Sequence, residues 1–186
     1  NIKSVVAPLG TAFTEEQLRL SWRFVDKPTI MFDGDEAGKR ASFKAAVMSL
    51  PFLIPNKSIQ FVNLQNNTDP DSYIKNKNFK NLLTFLKNPI QLIDYIFYTS
   101  SSQISLKNAD QKISYDKYLD DIIATIKDKK IQYFYKREFK SLFFEKLRNS
   151  NNKIKTYSIP KKINSLKRKQ IYSFIASAIN HKQIRF

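Results

Sequence analysis

Hydrophobic positions along the chain change their period once. Before about residue 75, short apolar runs (Ser4-Val5-Val6-Ala7, Thr29-Ile30-Met31-Phe32 and Ser58-Ile59-Gln60-Phe61-Val62) alternate with helical stretches near 14–24 and 36–49. Runs this short suit buried strands, so the order predicts strand, helix, strand, helix, strand, the pattern of a parallel α/β sheet. The first helix carries its own start signal: Thr14 precedes Glu15 and Glu16, with Gln17 three residues on, which fits an N-cap and a capping box. From about 79 onward the period is helical, through Phe79, Leu82, Leu83, Phe85 and Leu86, then Leu92, Ile93, Ile96 and Phe97. Residues 114–126 and 130–148 continue it with Tyr118, Leu119, Ile122, Ile123 and Ile126, then Ile131, Phe134, Phe139, Leu142, Phe143 and Leu147. Such spacing puts an apolar stripe on one side of each helix.

The predicted architecture is a partial parallel α/β sheet over residues 1–75 followed by an all-α subdomain over 76–148. Residues 149–165 are polar and basic, hold Pro160, and read as a linker. A last helix, from about 166 to 180, opens a C-terminal helical region running to 186. No internal repeat is visible. At 186 residues, 42% hydrophobic and 13% aromatic, the chain is long enough for one compact core with an appendage. It opens inside an apolar run without a methionine, and so reads as a piece of a longer protein.

Composition removes several chemistries. With no cysteine there is no disulfide, thiolate metal site or cysteine nucleophile, and His181, the single histidine, leaves no histidine cluster for a metal. No apolar stretch approaches the roughly 20 residues needed to cross a bilayer, and the first residues lack a signal pattern. The chain therefore reads as cytoplasmic, with no membrane partner.

Charge adds a candidate partner. The net charge is +16, and residues 1–75 hold 9 Lys/Arg against 8 Asp/Glu, which leaves 23 against 8 for residues 76–186. The second region thus carries nearly all of the excess, as suits a polyanion whose phosphates release counterions on binding. An AT-rich coding bias, which favours Lys, Asn and Ile and leaves the lysines on solvated faces, gives the same count.

Candidate chemistry gathers where the second predicted strand ends, in Phe32-Asp33-Gly34-Asp35-Glu36-Ala37-Gly38-Lys39-Arg40. In an open parallel sheet the ligand site lies beyond the carboxyl ends of the strands. Asp33 and Asp35 there offer two oxygen donors on one turn, Gly34 lets the backbone bend, and Gly38 lets the next helix approach the strand or a ligand closely. A second pair, Asp69 and Asp71 in Thr68-Asp69-Pro70-Asp71, follows the next strand. If the strands are neighbours, four carboxylates converge on one crevice, a concentration of charge that calls for a hard cation. Oxygen ligands without histidine or cysteine favour Mg²⁺ or Mn²⁺. Each stretch also has a structural reading, since Asp-Pro-Asp commonly forms a turn or a helix N-cap. Haloacid-dehalogenase phosphatases share the Asp-x-Asp but continue with Gly-Thr or Gly-Val, where this chain has Glu36-Ala37-Gly38. Response-regulator receivers need a later strand-end Thr and Lys that this sequence does not place.

VVAPLGTAFTEEQLRL, FDGDEAGKRASFKA and NTDPDSYI, in this order and spacing, resemble the Toprim region of bacterial DnaG-type DNA primases. The similarity covers residues 4–75 with specific motifs and continues more weakly to about 148, where that family has a helical subdomain closing its RNA polymerase domain. Residues 169–186, KQIYSFIASAINHKQIRF, look like the first helix of the family's helicase-binding domain. Topoisomerases share the Asp-x-Asp but usually carry further acidic residues at the positions of Asp35 to Gly38.

The resemblance implies that Asp33, Asp35, Asp69 and Asp71 hold Mg²⁺ or Mn²⁺, with Asp33 and Asp35 catalytic. It implies that Lys39 and Arg40 offset phosphate charge and that Gly10 and Thr11, in the Leu9-Gly10-Thr11 loop, approach nucleic acid. The implied reaction is attack of a ribose 3′-hydroxyl on the α-phosphate of an incoming ribonucleotide. The implied partners are a single-stranded DNA template, ribonucleoside triphosphates, the RNA-DNA hybrid and a replicative helicase. The family's Glu-Gly-x-x-Asp motif and zinc-binding domain are expected upstream of residue 1, so the chain by itself is expected to be inactive. Pro8 and Thr68 depart from the family's usual residues. The alternative class is a non-catalytic basic helical module, with residues 76–186 docking DNA or a replicative helicase.

Overall fold

Thr29–Phe32 (β1) and Gln60–Asn63 (β2) pair in parallel, with Thr29 opposite Gln60 and Phe32 opposite Asn63. Both strands therefore end at the same edge of the sheet. The computed structural model describes residues 5–7, 13–64, 68–73, 75, 79–102 and 104–151. Before β1 runs α1 (Glu15–Ser21), which starts at the expected capping box: the Gln17 amide donates to Thr14 Oγ1 at 3.3 Å and the Thr14 amide donates to Gln17 Oε1 at 3.1 Å. Between the strands lie α2 (Glu36–Ser49) and a short 3₁₀ turn, Leu50–Phe52. After β2 come α3 (Pro70–Tyr73), α4 (Phe79–Lys87), β3 (Ile90–Gln91), α5 (Leu92–Ser101), α6 (Ala109–Ala124) and α7 (Lys129–Asn151).

Two expectations are corrected. Val5–Ala7 form no strand, and Val5 and Val6 are exposed. A strand needs a hydrogen-bonding neighbour, and the outer edge of β1 is unpaired among the described residues. The region after 79 is also not purely helical, because Ile90 and Gln91 add a third strand antiparallel to β2, with Ile90 opposite Phe61. Two residues are too few for alternation to show in a sequence. The result is a small mixed sheet, ordered β1-β2-β3, followed by helices. Helix α7 runs into the segment expected to be a linker, and the expected helix at 166–180 lies outside the described residues.

One apolar core joins the sheet to the helices. Leu18, Ile59 and Phe61 from the α/β region, Ile96 and Tyr115 from α5 and α6, and Phe139 from α7 belong to the same buried cluster. The Tyr95 ring stacks on Phe61, 4.1 Å between centroids, while its hydroxyl donates to Ser42 Oγ of α2 at 2.9 Å. Three elements are thereby fixed by one side chain. Trp22 donates its indole N–H to the Ser58 carbonyl at 2.9 Å, closing α1 over the entry to β2. Helix α2 buries a small-residue face, Gly38, Ser42, Ala45, Ala46 and Ser49, which lets it lie close to its neighbours. Across the outer helices, Lys140 pairs with Asp116, and Lys136 with Asp120 at 3.3 Å. Lys146 ties α7 to the end of α5, donating to the Ser101 carbonyl at 2.6 Å and to Ser101 Oγ at 2.8 Å. Burial pulls its amine down to about 8.

Candidate functional site

The acidic turn stands where β1 stops and α2 begins. Asp35 is the N-cap of α2 and accepts from the Gly38 amide at 2.6 Å, so one of the two carboxylates already satisfies a helix N-terminus. Helix α2 then leaves close over the strand end: a Cβ on Gly38 would meet the Asp33 carbonyl oxygen at 2.2 Å and its carbon at 2.9 Å. Only glycine fits there, because the obstacle is backbone. The sequence expectation for Gly38 is met, with the strand rather than a ligand as the close neighbour. Gly38→Ala is expected to cost about 1–3 kcal/mol, the range for overpacking a filled site. Urea unfolding checks the cost, and altered amide shifts at Asp33 and Gly34 check that the turn itself is displaced.

The second acidic segment reaches the same edge through the backbone. The Gly34 amide donates to the Thr68 carbonyl at 2.8 Å, which binds the Asp33–Asp35 turn to the residue before Asp69. Tyr73 is buried with Leu64 and Leu82, and Met31 packs against them, so an apolar cluster anchors this segment beside the sheet. Asp69 begins α3, accepting from the Ser72 amide and from Ser72 Oγ, both at 2.7 Å. These two bonds hold the Asp69 carboxyl below the usual carboxylate range. Asp71 is ion-paired with Lys75, and its hydrogen bond and then its charge raise the Lys75 amine.

The expected convergence of four carboxylates is corrected to a looser arrangement. Among the described residues no three acidic groups stand close enough to hold one ion together. The physical reason is local: Asp35 and Asp69 turn into the helix starts they cap, and Asp71 turns toward Lys75. Asp33 is exposed and has no hydrogen bond or ion pair with a described residue. The donor set still fits Mg²⁺ or Mn²⁺, since Mg²⁺ is commonly held by one or two carboxylates with waters and substrate phosphates completing the shell. Lys39 pairs with Glu36 at 3.3 Å, and Arg40 is exposed one residue on. Gly10 and Thr11 lie outside the described residues.

Sequence reasoning missed Thr68, Ser72 and Lys75 as supports of the site. The pattern Asp69-Pro70-Asp71-Ser72, an N-cap followed by proline at the first helical position, was the available signal for Ser72. Nothing in the side chain of Thr68 announces a bond made by its carbonyl.

Comparison with known proteins agrees with this geometry. A Toprim domain profile matches residues 1–60. The DNA primase of Rickettsia typhi is 32% identical over 152 residues, which are 82% of this chain and 26% of that protein. The chain thus spans about a quarter of the length of the curated relative it matches. Among solved structures, the Aquifex aeolicus primase zinc-binding and RNA polymerase domains superpose with a TM-score of 0.57 at 25% identity, covering 82% of this chain and 33% of that one. A DnaG primase catalytic domain bound to single-stranded DNA superposes with a TM-score of 0.65 at 20% identity, covering 73% of this chain and 43% of that one, and so shares its fold. The chain belongs to the bacterial DnaG-type DNA primases.

Proposed function

We propose that this chain is the metal-binding part of a primase that makes short RNA primers on single-stranded DNA by ribonucleotidyl transfer. The observation that carries the proposal is the Gly34–Thr68 backbone hydrogen bond, which holds two Asp-x-Asp segments at the carboxyl ends of paired parallel strands. Asp33 and Asp35 would hold Mg²⁺ or Mn²⁺, with Asp69 and Asp71 on the neighbouring segment. A cation held there would supply charge to offset the triphosphate and would lower the pKa of the attacking hydroxyl. The chain's own residues do the positioning. Asp33 presents an exposed carboxylate at the strand end, and Asp35 fixes the turn by capping α2. The α2 N-terminus contributes the positive end of its dipole, and Lys39 and Arg40, on the first two turns, offset further phosphate charge.

Ribonucleoside triphosphates, the template and its RNA-DNA hybrid are the substrates this reading implies, and a replicative helicase is the partner expected of residues 166–186. Residues 1–75 and 76–151 then form the Toprim part and the helical subdomain of a cytoplasmic enzyme, and a linker follows to about residue 165. Residues 1–186 contain no Glu-Gly-x-x-Asp, and this reading takes the catalytic carboxylate of that motif from outside these residues. The test is ribonucleotide incorporation on a single-stranded template with Mg²⁺ or Mn²⁺. A longer polypeptide carrying the upstream polymerase segment should incorporate, and residues 1–186 alone should not. Full activity from residues 1–186, or none from the longer protein with either metal, would refute the proposal.

A further inference from the structure

Helix α7 uses its inner side for the core and leaves an unusual outer side. Phe139, Leu142 and Phe143 are buried, whereas Tyr133 and Phe144 are 58% and 57% exposed. At 100° per residue, Lys130, Tyr133, Arg137, Ser141, Phe144 and Arg148 fall on one stripe of about a quarter-turn. All six are on the surface. The guanidinium of Arg137 lies over the Tyr133 ring, 5.7 Å from its centroid. A shallow cleft runs between these aromatics, lined by Tyr133, Lys136, Arg137, Lys140, Ser141 and Phe144. The two acidic residues of α7, Glu138 and Glu145, fall outside the stripe, and Asp116 and Asp120 of α6 pair with Lys140 and Lys136 on its flank. Of the six surface residues named, all but Ser141 are basic or aromatic.

We infer that this outer face of α7 is a track for single-stranded nucleic acid, with bases stacking on Tyr133 and Phe144 and phosphates meeting Arg137, Arg148 and Lys130. The inference rests on the primase reading for the presence of a single strand, and goes beyond it in assigning the surface. Two features favour this occupant. The charge complements a polyanion, and exposed rings alternating with cations are the arrangement that binds unpaired bases without sequence preference. Tyr133 and Phe144 stand about 16 Å apart along the helix axis, far enough for separate bases. An acidic protein segment would be drawn by the same charge but would not need flat rings at this spacing.

The experiment is fluorescence anisotropy of a labelled oligothymidylate with residues 1–186 at several salt concentrations. Tyr133→Ala and Phe144→Ala should each weaken binding about tenfold with the salt slope unchanged. Arg137→Gln with Arg148→Gln should reduce the log-log salt slope by roughly 0.7 for each phosphate no longer neutralised. An abasic strand of equal charge should bind the parent as weakly as oligothymidylate binds the aromatic variants. The control is Lys44→Gln with Lys117→Gln, exposed lysines of α2 and α6, which should change little. The track is overturned by equal losses in the control, by equal affinity for the abasic strand, or by polyglutamate competing as well as DNA. Absence of binding by the parent at low salt, or self-association that Phe144→Ala abolishes, overturns it too. Incorporation by the longer protein separates the two readings: activity that persists while the α7 variants bind normally removes the track and leaves the primase assignment intact.

Discussion

Asp33→Asn, placed in a longer polypeptide that includes the upstream polymerase segment, is expected to lower ribonucleotide incorporation by on the order of 10²-fold or more while DNA binding and the folded spectrum stay nearly unchanged. The expectation follows from where Asp33 sits. Its carboxylate is exposed beyond β1 and has no described protein partner, so removing its charge leaves no buried group stranded. What is lost is a hard anionic donor at the sheet edge, and positioning of a cation and phosphates supplies most of the rate in phosphoryl transfer. Asp35→Asn is expected to cost comparable activity, with a small added loss of stability. Asparagine is itself a competent N-cap, so most of the bond to the Gly38 amide survives. A variant at Asp33 as active as its parent would show that this turn is only a helix start.

Phe139→Ala is expected to destabilise the whole chain by about 3–5 kcal/mol, a large share of the roughly 5–15 kcal/mol typical of a domain. Phe139 is fully buried, and its cluster runs from α7 through Tyr115 and Ile96 to Phe61 of β2. A cavity at that point withdraws support from the helices and from the sheet together. Trp22, the single tryptophan, lies on the α/β side with its N–H on the Ser58 carbonyl, and so reports from that part of the shared core. Urea unfolding followed by Trp22 fluorescence and by helical circular dichroism should give coincident transitions, both moved to lower urea by the substitution. Two separated transitions, with only the helical one moved, would mean that the α/β part is stable without α7.

Elements with repeated local signals were legible in the sequence. Helix α2 begins and ends where its pattern predicts, and the Thr14–Gln17 capping box forms as read. Strand β1 matches its apolar run, with bends at 26–27 and 34–35 on either side. Val5–Ala7 resemble a strand in sequence and form none: an apolar run becomes a strand only by pairing, and the outer edge of β1 stays unpaired among the described residues. Strand β3 is invisible in the pattern because its two residues carry no period of their own. At the site, residue types were readable and their distribution was not. Asp-Pro-Asp is equally a pair of ligands and a helix start, and the choice depends on Ser72 and Lys75, whose bonds are facts of the folded chain. The bond that joins the two acidic segments uses a glycine amide and a threonine carbonyl, backbone groups that every sequence contains.

The central proposal, that the turn after β1 holds a cation at the carboxyl end of the β1–β2 pair with the Asp69–Asp71 segment beside it, is tested most directly by paramagnetic broadening. Mn²⁺ added to isotopically labelled residues 1–186 should broaden the amide signals of Gly34 and Asp71 together, well before those of surface loops, and Mg²⁺ should compete the effect away. Broadening at Gly34 and Asp71 no greater than in the loop joining α6 to α7 would contradict the account.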